Sequence, residues 1–206
     1  KALLPRWLQL AKTEELFTKR QQASDPLSPP SLFSDDRNQV LATTFWQRGD
    51  GEFAQIIGGN FTTTANITNI GVYDQSSNLL TALPAFPLRN NAPTISVVRT
   101  LSVVNDTLFV GGDGGMQIFN LASGEWNSNM ASLNINNKQG TAQLASVTNV
   151  VHRPLSSTVV ASGTFDSAGS LPCPSVCEWD MLANRWMQLG TGFAGTVTSM
   201  DFANVR

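Results

Sequence analysis

The chain has 206 residues, of which 41% are hydrophobic and only 14% are charged, with a formal net charge of −2. Soluble domains usually carry about 25% charged residues, so the polar surface must come mainly from Asn, Ser, Thr and Gln, which favours an extracellular protein over a cytosolic enzyme. The scattered cations exclude the basic stripe that nucleic-acid binding requires, and no apolar run approaches the ~20 residues that cross a bilayer.

The beginning of the chain differs in character from the rest. Apolar residues between Trp7 and Phe17 recur at a spacing that fits an amphipathic helix better than a strand. The sequence SDPLSPP at Ser24–Pro30 ends this pattern, because proline lacks an N–H donor and restricts the residue before it. We therefore expect residues 1–38 to form a short helical or irregular segment and a Pro/Ser-rich linker. The helix is interpreted as a surface or capping element, with a partner-docking helix as the alternative.

From about residue 40, short β-branched and aromatic runs alternate with turns of Gly, Asn, Ser and Asp, which is typical of strands in hairpins. The predicted strands are Phe53–Ile57, Ile70–Tyr73, Ile95–Val98, Leu108–Val110, Met116–Phe119, Ser146–Val151, Thr158–Ala161, Val176–Trp179 and Thr196–Met200. Residues 39–206 are therefore predicted to be all-β.

Three segments of this region, which begin at Gln55, Thr107 and Thr158, repeat the same markers. Each has an apolar strand, a pair of small residues, an aromatic residue followed by a polar one, and a large apolar residue seven positions after the aromatic. The markers are Gly58-Gly59, Tyr73-Asp74 and Leu80; then Gly111-Gly112, Phe119-Asn120 and Trp126; then Ser162-Gly163, Trp179-Asp180 and Trp186. The second small residues lie 53 and 51 positions apart (112 − 59 and 163 − 112), and a period of about 50 is typical of kelch-like propeller blades.

The fold class is therefore predicted as kelch-like β-propeller blades, in units near residues 53–100, 107–151 and 158–206. Because propellers typically close with about 4–8 blades, we expect these three to belong to a larger or incomplete propeller. We expect the small-residue pairs to let the chain turn tightly near the propeller axis, and the aromatic residues to pack between blades. Gly124 and Asn184 are expected in hairpin turns, since both residue types tolerate positive φ.

Asn60, Asn66 and Asn105 each begin an Asn-X-Thr triplet without proline, the acceptor pattern of N-glycosylation. All three lie in or beside predicted turns, where a transferase can reach them. Such triplets also arise by composition in a chain rich in Asn and Thr. We predict glycosylation at these residues if the protein passes through the secretory pathway.

Cys173 and Cys177 are the only cysteines of the chain. In an extended strand their Cα atoms would be too far apart for a bridge, but Pro172 and Pro174 favour a bend that brings them together. We predict a small-loop disulfide, which fits an oxidising compartment, with a redox-active pair as the alternative. A zinc site is disfavoured because it needs four ligands and the chain has one histidine.

Trp126, Trp179 and Trp186 allow two interpretations. Their repeated positions favour a core role at the blade interface, and exposed rings would instead make them candidate ligand-stacking platforms for a glycan. The lone His152 has no Gly-x-Ser-x-Gly elbow that would support a catalytic triad. We therefore predict a protein that is not an enzyme and that has no catalytic residues, no cofactor and no metal site.

Several motifs resemble those of a known family. They are Cys173-Pro-Ser-Val-Cys177-Glu-Trp179-Asp180, the following Arg185-Trp186, the run LGTGFAGTV at 189–197, and the strands Ile57-Gly-Gly-Asn-Phe61 and Val110-Gly-Gly112. Together they resemble the fungal cortical marker of bud-site selection and cell polarity of the Rax-two type, which has similar Cys-x-x-Val-Cys-x-Trp-Asp, Leu-Gly-x-Gly-Leu-x-Gly-x-Val and Val-Gly-Gly-x-Phe motifs. The resemblance covers about residues 50–206.

The resemblance implies a glycosylated extracellular propeller that is anchored elsewhere by a membrane helix and acts as a spatial landmark. The start of the chain is not predicted to be a secretory signal, because Pro5 and Arg6 interrupt its apolar stretch. If the protein is secreted, we expect the signal to lie upstream or to have been removed. We expect a non-enzymatic recognition or scaffold module at the cell surface, with a protein partner at the cell cortex. A lectin-like binder of cell-wall glycan is the alternative, and a secreted hydrolase or oxidase built on a propeller is a third class.

Overall fold

The structure, a computed structural model, describes residues 38–202 except 76, 90–91, 136–143, 191–192, 194 and 196. The predicted helix and nearly all of the predicted linker at residues 1–38 lie outside the described residues. Within the described ranges all regular structure is β, which confirms the predicted class. That part of the chain contains no helix of the length and hydropathy needed to cross a membrane.

Seventeen strands are formed by the described residues. They are β1 Gln39–Gln47, β2 Phe53–Thr62, β3 Thr68–Asp74, β4 Leu79–Ala82, β5 Leu88–Arg89, β6 Ala92–Pro93, β7 Val97–Val104, β8 Thr107–Asp113, β9 Gly115–Asn120, β10 Glu125–Trp126, β11 Leu133–Asn134, β12 Ser146–His152, β13 Thr158–Thr164, β14 Ser167–Ala168, β15 Leu171–Pro172, β16 Val176–Asp180 and β17 Arg185–Gln188.

Three four-stranded antiparallel sheets repeat one topology, in which the four strands lie side by side in chain order. The first sheet is β1-β2-β3-β4, the second is β7-β8-β9-β10, and the third is β12-β13-β16-β17. A bridge between Ser146 and Asp113 connects the second and third sheets. The smaller sheet β11-β14-β15 and the hairpin β5-β6 lie in the connections. The predicted blade repeat is therefore present, since the three segments at Gln55, Thr107 and Thr158 have one architecture.

The sheets begin one strand earlier than the predicted blade units. Strands β7 and β12 open the second and third sheets, whereas the units near 53–100 and 107–151 placed them at the end of the preceding blade. The predicted strand at Thr196–Met200 is wrong, because the described residues 197–200 are not in a strand. A first strand needs the ladder of the strand after it, and the described residues beyond this segment include none.

The small-residue pairs lie inside the second strand of each sheet and not in a turn, which corrects the prediction. The first strand carries a β-bulge opposite each pair; the bulges fall between Val40/Ala42, Val98/Thr100 and Val147/Asn149. A β-carbon on Gly59, Gly112 or Gly163 would overlap a carbonyl oxygen of the bulged strand. The repeated glycine is therefore required by the close approach of two backbones at a bulge.

The core lies between neighbouring sheets. Successive residues of a strand point to opposite faces, so Leu108 and Val110 face the first sheet whereas Phe109 faces the third. The core between the first and second sheets includes Ala54, Ile56, Ile70, Val72, Val98, Leu108, Val110 and Phe119. The core between the second and third includes Phe109, Met116, Ile118, Val147, Val150, Val159, Ala161, Trp179 and Trp186. The second sheet thus buries both faces against similar units, as propeller blades do.

Candidate recognition site at the hairpin end of the sheets

The aromatic residue of each repeat and the residue seven positions later are cross-strand neighbours. The outer hairpins pair Tyr73 with Leu80, Phe119 with Trp126, and Trp179 with Trp186. The ring centroids are 4.8 Å apart for Phe119 and Trp126 and 5.2 Å apart for Trp179 and Trp186, which is the range of favourable aromatic contacts. The seven-residue spacing therefore encodes one hairpin geometry three times.

The polar residue after each aromatic holds the hairpin turn. The Oδ1 atom of Asn120 accepts hydrogen bonds from the backbone N–H groups of Ala122 and Ser123 at 2.9 and 2.8 Å. The Oδ1 atom of Asp180 accepts two bonds from the third sheet's turn, at 2.9 and 3.1 Å. These are Asx turns, in which a short polar side chain replaces a backbone acceptor. The turn conformation is thereby fixed by the local sequence.

The residue four positions after each polar cap has a positive φ. The values are 55° at Asn78, 74° at Gly124 and 50° at Asn184. The predictions for Gly124 and Asn184 are confirmed, and the equivalent role of Asn78 was missed. Asn and Gly occupy this region of φ with little strain, so all three turns have the same shape.

The tryptophans in the outer hairpins of the second and third sheets form hydrogen bonds to the chain segments that connect the sheets. The Trp126 Nε1–H donates to the carbonyl oxygen of Pro84 at 3.1 Å, and the Trp186 Nε1–H donates to that of Ala131 at 2.8 Å. Trp179 and Trp186 are only 2% and 8% exposed, and Trp126 is half-buried. The core interpretation therefore describes Trp179 and Trp186, and among the candidate stacking residues only Trp126 is partly exposed.

All inner hairpins (β1–β2, β7–β8, β12–β13) and outer hairpins (β3–β4, β9–β10, β16–β17) lie at the same end of their sheets, because the strands alternate in direction. We call this surface the hairpin end. Backbone bonds join the inner and outer hairpins of a sheet, from Leu121 N–H to Asp106 C=O at 2.7 Å and from Met181 N–H to Ser157 C=O at 2.9 Å. The Trp46 Nε1–H also donates to the carboxylate of Asp106 at 3.0 Å, which links the first sheet to the second.

A cleft of about 330 Å³ opens at the hairpin end between the second and third sheets. Its floor is apolar and its rim carries amide and hydroxyl groups; the floor includes Phe109, Ile118 and Trp179, and the rim includes Asn120, Asn127 and Asn184. The Asn127 Nδ2–H donates to Asn184 Oδ1 at 3.0 Å across the two sheets. A neighbouring cleft of about 230 Å³ shares Trp179 and Asn184 and includes Arg185. Such a surface can donate and accept hydrogen bonds above a hydrophobic base.

Acid–base groups are sparse in these clefts. Glu125 is the titratable residue that lines the first cleft, and Arg185 is the one that lines the second. Among the described residues no three His, Cys, Asp or Glu side chains come close enough to hold a metal ion. The geometry of the clefts suits binding by shape and hydrogen bonding.

The three predicted glycosylation sites are exposed. Asn60 and Asn66 lie near the β2–β3 turn of the first sheet, and Asn105 lies in the β7–β8 hairpin of the second. Asn66 and Asn105 have positive φ values of 60° and 53°, which places them at turn tips. Attachment of glycans to these residues stays a prediction.

The predicted disulfide is present. Cys173 and Cys177 are bonded with their Cα atoms 5.5 Å apart, and the bend that brings them together includes Ser175 at a φ of 64°. The carbonyl oxygen of Ser175 accepts the N–H of Gly163 at 3.0 Å. The disulfide loop is therefore hydrogen-bonded to the glycine of the third bulge.

An ion pair at the opposite end of the sheets was missed by the sequence analysis. Both nitrogens of the Arg99 fork, Nε and Nη2, donate to the Asp113 carboxylate at 2.7 Å, and the Ser146 hydroxyl donates to it at 2.8 Å. The Arg99 hydrogen bonds lower the pKa of Asp113, with a smaller contribution from Ser146, while partial burial opposes them. The Asp113 side chain thereby joins the second and third sheets.

The fold and the site together define a β-propeller repeat protein with a displayed hairpin surface. Residues 130–206 match the family model described as the Rax2 C-terminal beta propeller domain. The Polarized growth protein L1 of Phoma sp. (strain ATCC 20986 / MF5453) is 30% identical over 164 residues, and the Polarized growth protein RAX2 of Candida albicans is 28% identical over 166 residues. Each alignment covers 71% of this chain and 12% of the relative, so the chain spans a small part of the length of these curated proteins. The resemblance to the Rax-two type is confirmed.

Proposed function

We propose that this chain is a non-enzymatic recognition or scaffold module of a polarized-growth protein, and that its hairpin end binds a protein partner at the cell cortex. The names of the two relatives, both polarized growth proteins, support a role in cell polarity. The contact surface is proposed from the structure of the repeats.

The observation that carries the proposal is the rigid display of turns at the hairpin end. Asn120 and Asp180 fix the outer turns from within, and the indoles of Trp126 and Trp186 fasten the connecting segments behind them. Loops on a stiff β scaffold commonly carry recognition, since little conformational entropy is lost when a partner binds a surface that is already ordered.

The non-enzymatic part of the proposal is supported by the chemistry of the clefts. General acid–base catalysis needs titratable groups placed together at the substrate, whereas Glu125 and Arg185 line separate clefts. Of the described ionisable residues, Arg48 and Asp74, Arg99 and Asp113, and Arg153 and Glu178 are already in ion pairs.

We also propose that the chain lies at the cell surface. The exposed acceptor residues Asn60, Asn66 and Asn105 and the disulfide between Cys173 and Cys177 support passage through an oxidising secretory pathway. Native protein treated with an amide glycosidase should lose mass on a gel. Unchanged mobility, together with free thiols in the native protein, would contradict this location.

The recognition surface can be tested in a fungal host that lacks its own Rax2 relative and carries this sequence within the full-length parent protein. Ser123→Arg with Ala183→Arg places two cations on exposed turns of the hairpin end. The matched control, Thr64→Arg with Thr164→Arg, alters exposed residues of the opposite end. We expect only the hairpin-end variant to disturb the position of new growth sites at equal protein abundance. Normal growth-site placement with that variant would refute the proposed surface.

A lectin-like function is the second candidate, favoured by the amide rim and aromatic floor of the first cleft. Asn side chains that hydrogen-bond hydroxyls, above an aromatic surface, are suited to a sugar. The accessible part of Trp126 would then supply the stacking face, since Trp179 is buried. Binding of the chain to a cell-wall glycan array, lost on Trp126→Leu with the fold retained, would favour this function over protein recognition.

A further inference from the structure

Two leucines project from neighbouring turns of the third sheet at the hairpin end. Leu155, between β12 and β13, is 105% exposed relative to the reference state, and Leu182, between β16 and β17, is 86% exposed. The backbone bond from Met181 N–H to Ser157 C=O holds the two turns together. Isolated surface leucines are ordinary, but a pair held outward on adjacent turns forms an apolar projection.

Backbone strain accompanies the more exposed of these side chains. Leu155 has a φ of 58°, a region that bulky L-residues rarely adopt. The exposed residues described in the corresponding turns of the first and second sheets are polar or small. The exposed apolar residues of the first sheet at this end, Phe53 and Leu79, lie in strands and are less exposed, at 45% and 56%. Strain of this kind persists where the local structure serves a function.

The two exposed leucines lie beside the first cleft, whose floor is apolar. Met181, which precedes Leu182, lines the first cleft, and the cleft floor contains the side chains of Phe109 and Trp179. A projection and a recess next to each other on one surface make that surface self-complementary. A two-fold axis between them would then place each projection in the other molecule's recess.

We propose that the hairpin end is the interface of a symmetric dimer of this chain, in which Leu155 and Leu182 of each copy enter the first cleft of the other. Such a two-fold axis would also bring oppositely charged side chains of the two copies together. Arg185 is exposed next to the projection and Glu125 is exposed at the cleft, and neither forms an ion pair with another described residue. The two side chains would meet between copies.

The predicted glycan acceptors lie outside the third sheet, but one of them borders this interface. The Asn-X-Thr triplets lie between residues 60 and 107, and the third sheet contains none. The triplet that begins at Asn105 ends at Thr107, which lines the cleft. A glycan at Asn105 would therefore border the interface, so dimerisation is best measured with Asn105→Gln present in every protein.

Sedimentation velocity from about 1 µM to about 1 mM tests the proposal, a range that covers association free energies of roughly 4–8 kcal/mol. We expect the sedimentation coefficient to rise with concentration. Leu155→Ser with Leu182→Ser should weaken the dimer about tenfold or more, the usual effect of removing central apolar anchors. Leu88→Ser with Leu144→Ser is the matched control, because those leucines are 68% and 65% exposed elsewhere, and it should leave the dimer unchanged.

A charge exchange gives an independent readout that does not depend on the leucines. Glu125→Arg alone should weaken the dimer, and Glu125→Arg with Arg185→Glu should restore it. A chain that is monomeric over the whole range, or a dimer that is insensitive to the leucine substitutions, would overturn the proposal. A monomer whose leucines instead bind phosphatidylserine vesicles would assign the projection to a membrane and would equally overturn it. The proposed role in polarity does not require the dimer, although a dimer and a cortical partner would compete for the hairpin end. Growth-site placement therefore tests the proposed function, and sedimentation tests the dimer.

Discussion

Replacing Gly112 with alanine probes the close backbone approach that recurs in all three sheets. Gly112 lies opposite the β7 bulge, and its new β-carbon would overlap the carbonyl oxygen of Val97. Gly112 is not among the residues with positive φ, so the cost is steric. Because the neighbour is backbone, relief requires β7 to move away from β8 in a region where Ile95 and Val98 are 0% exposed.

The magnitude of this effect follows from two contributions. Moving β7 weakens one or two ladder hydrogen bonds, each worth about 1 kcal/mol net. Overpacking a well-filled core costs a further ~1–3 kcal/mol. We therefore expect Gly112→Ala to lower the free energy of unfolding by about 3 kcal/mol, a large fraction of the ~5–15 kcal/mol of a typical domain. The corresponding fall in Tm is about 10 °C for a chain of this length.

Urea unfolding followed by tryptophan fluorescence measures this change, with two other glycines as controls. Gly49 has no neighbouring atom within 4 Å and no positive φ, so Gly49→Ala should change stability by less than about 0.5 kcal/mol. Gly124 has open space around it but a φ of 74°, so Gly124→Ala should cost about 1 kcal/mol from backbone strain alone. A Gly112→Ala protein whose stability lies within about 1 kcal/mol of Gly49→Ala would refute the steric account of the repeated glycine.

Three further changes test other contacts. Trp186→Phe removes the indole donor to a connecting segment and should lower the free energy of unfolding by about 1–3 kcal/mol, since it leaves a carbonyl unpaired; chemical denaturation measures it. Cys173→Ala with Cys177→Ala should cost about 2 kcal/mol by the chain-entropy relation for a five-residue loop, and reduction of the native protein should reproduce the loss. Because Arg99 lowers the pKa of Asp113 in the folded protein, the ionised carboxylate stabilises the fold fully above the unfolded-state pKa of 3.8. This stabilisation is lost as the pH falls through the folded-state pKa. The stability difference between wild type and Asp113→Asn should therefore shrink in acid; a difference that is constant from neutral pH into acid would contradict the assignment.

The period of the repeat was readable from the sequence, but its starting point was not. Gly59, Gly112 and Gly163 mark equivalent positions of the three sheets, and a period fixes only the distance between equivalent positions. Whether β7 closes one blade or opens the next depends on the strand with which it pairs, and hydrogen-bond partners are not part of a periodic pattern. The two-residue strands such as β10 were also missed, because a strand so short shows no alternation.

In the candidate site, too, features formed by residues close in sequence were predictable and features formed by distant residues were not. The cysteine pair was predicted correctly because its ends are four residues apart and proline favours the required bend. The ion pair of Arg99 with Asp113 and the Ser146 bond to the same carboxylate span 14 and 33 residues, and nothing in the sequence favours these partners over other polar residues. The cleft between the second and third sheets likewise exists only where two separate hairpins come together.

The outer hairpins are encoded locally, because their Asx caps, positive-φ residues and seven-residue aromatic spacing act within a short stretch of chain, where local dihedral preferences dominate. The tertiary structure decided the rest. It placed the small-residue pairs at bulges instead of in turns, buried Trp179 and Trp186 between sheets, and brought Leu182 beside a cleft built partly from the preceding sheet. These outcomes depend on contacts between residues distant in the chain, whose energies come from close packing and excluded water, and such packing is settled only when all the neighbouring sheets are in place.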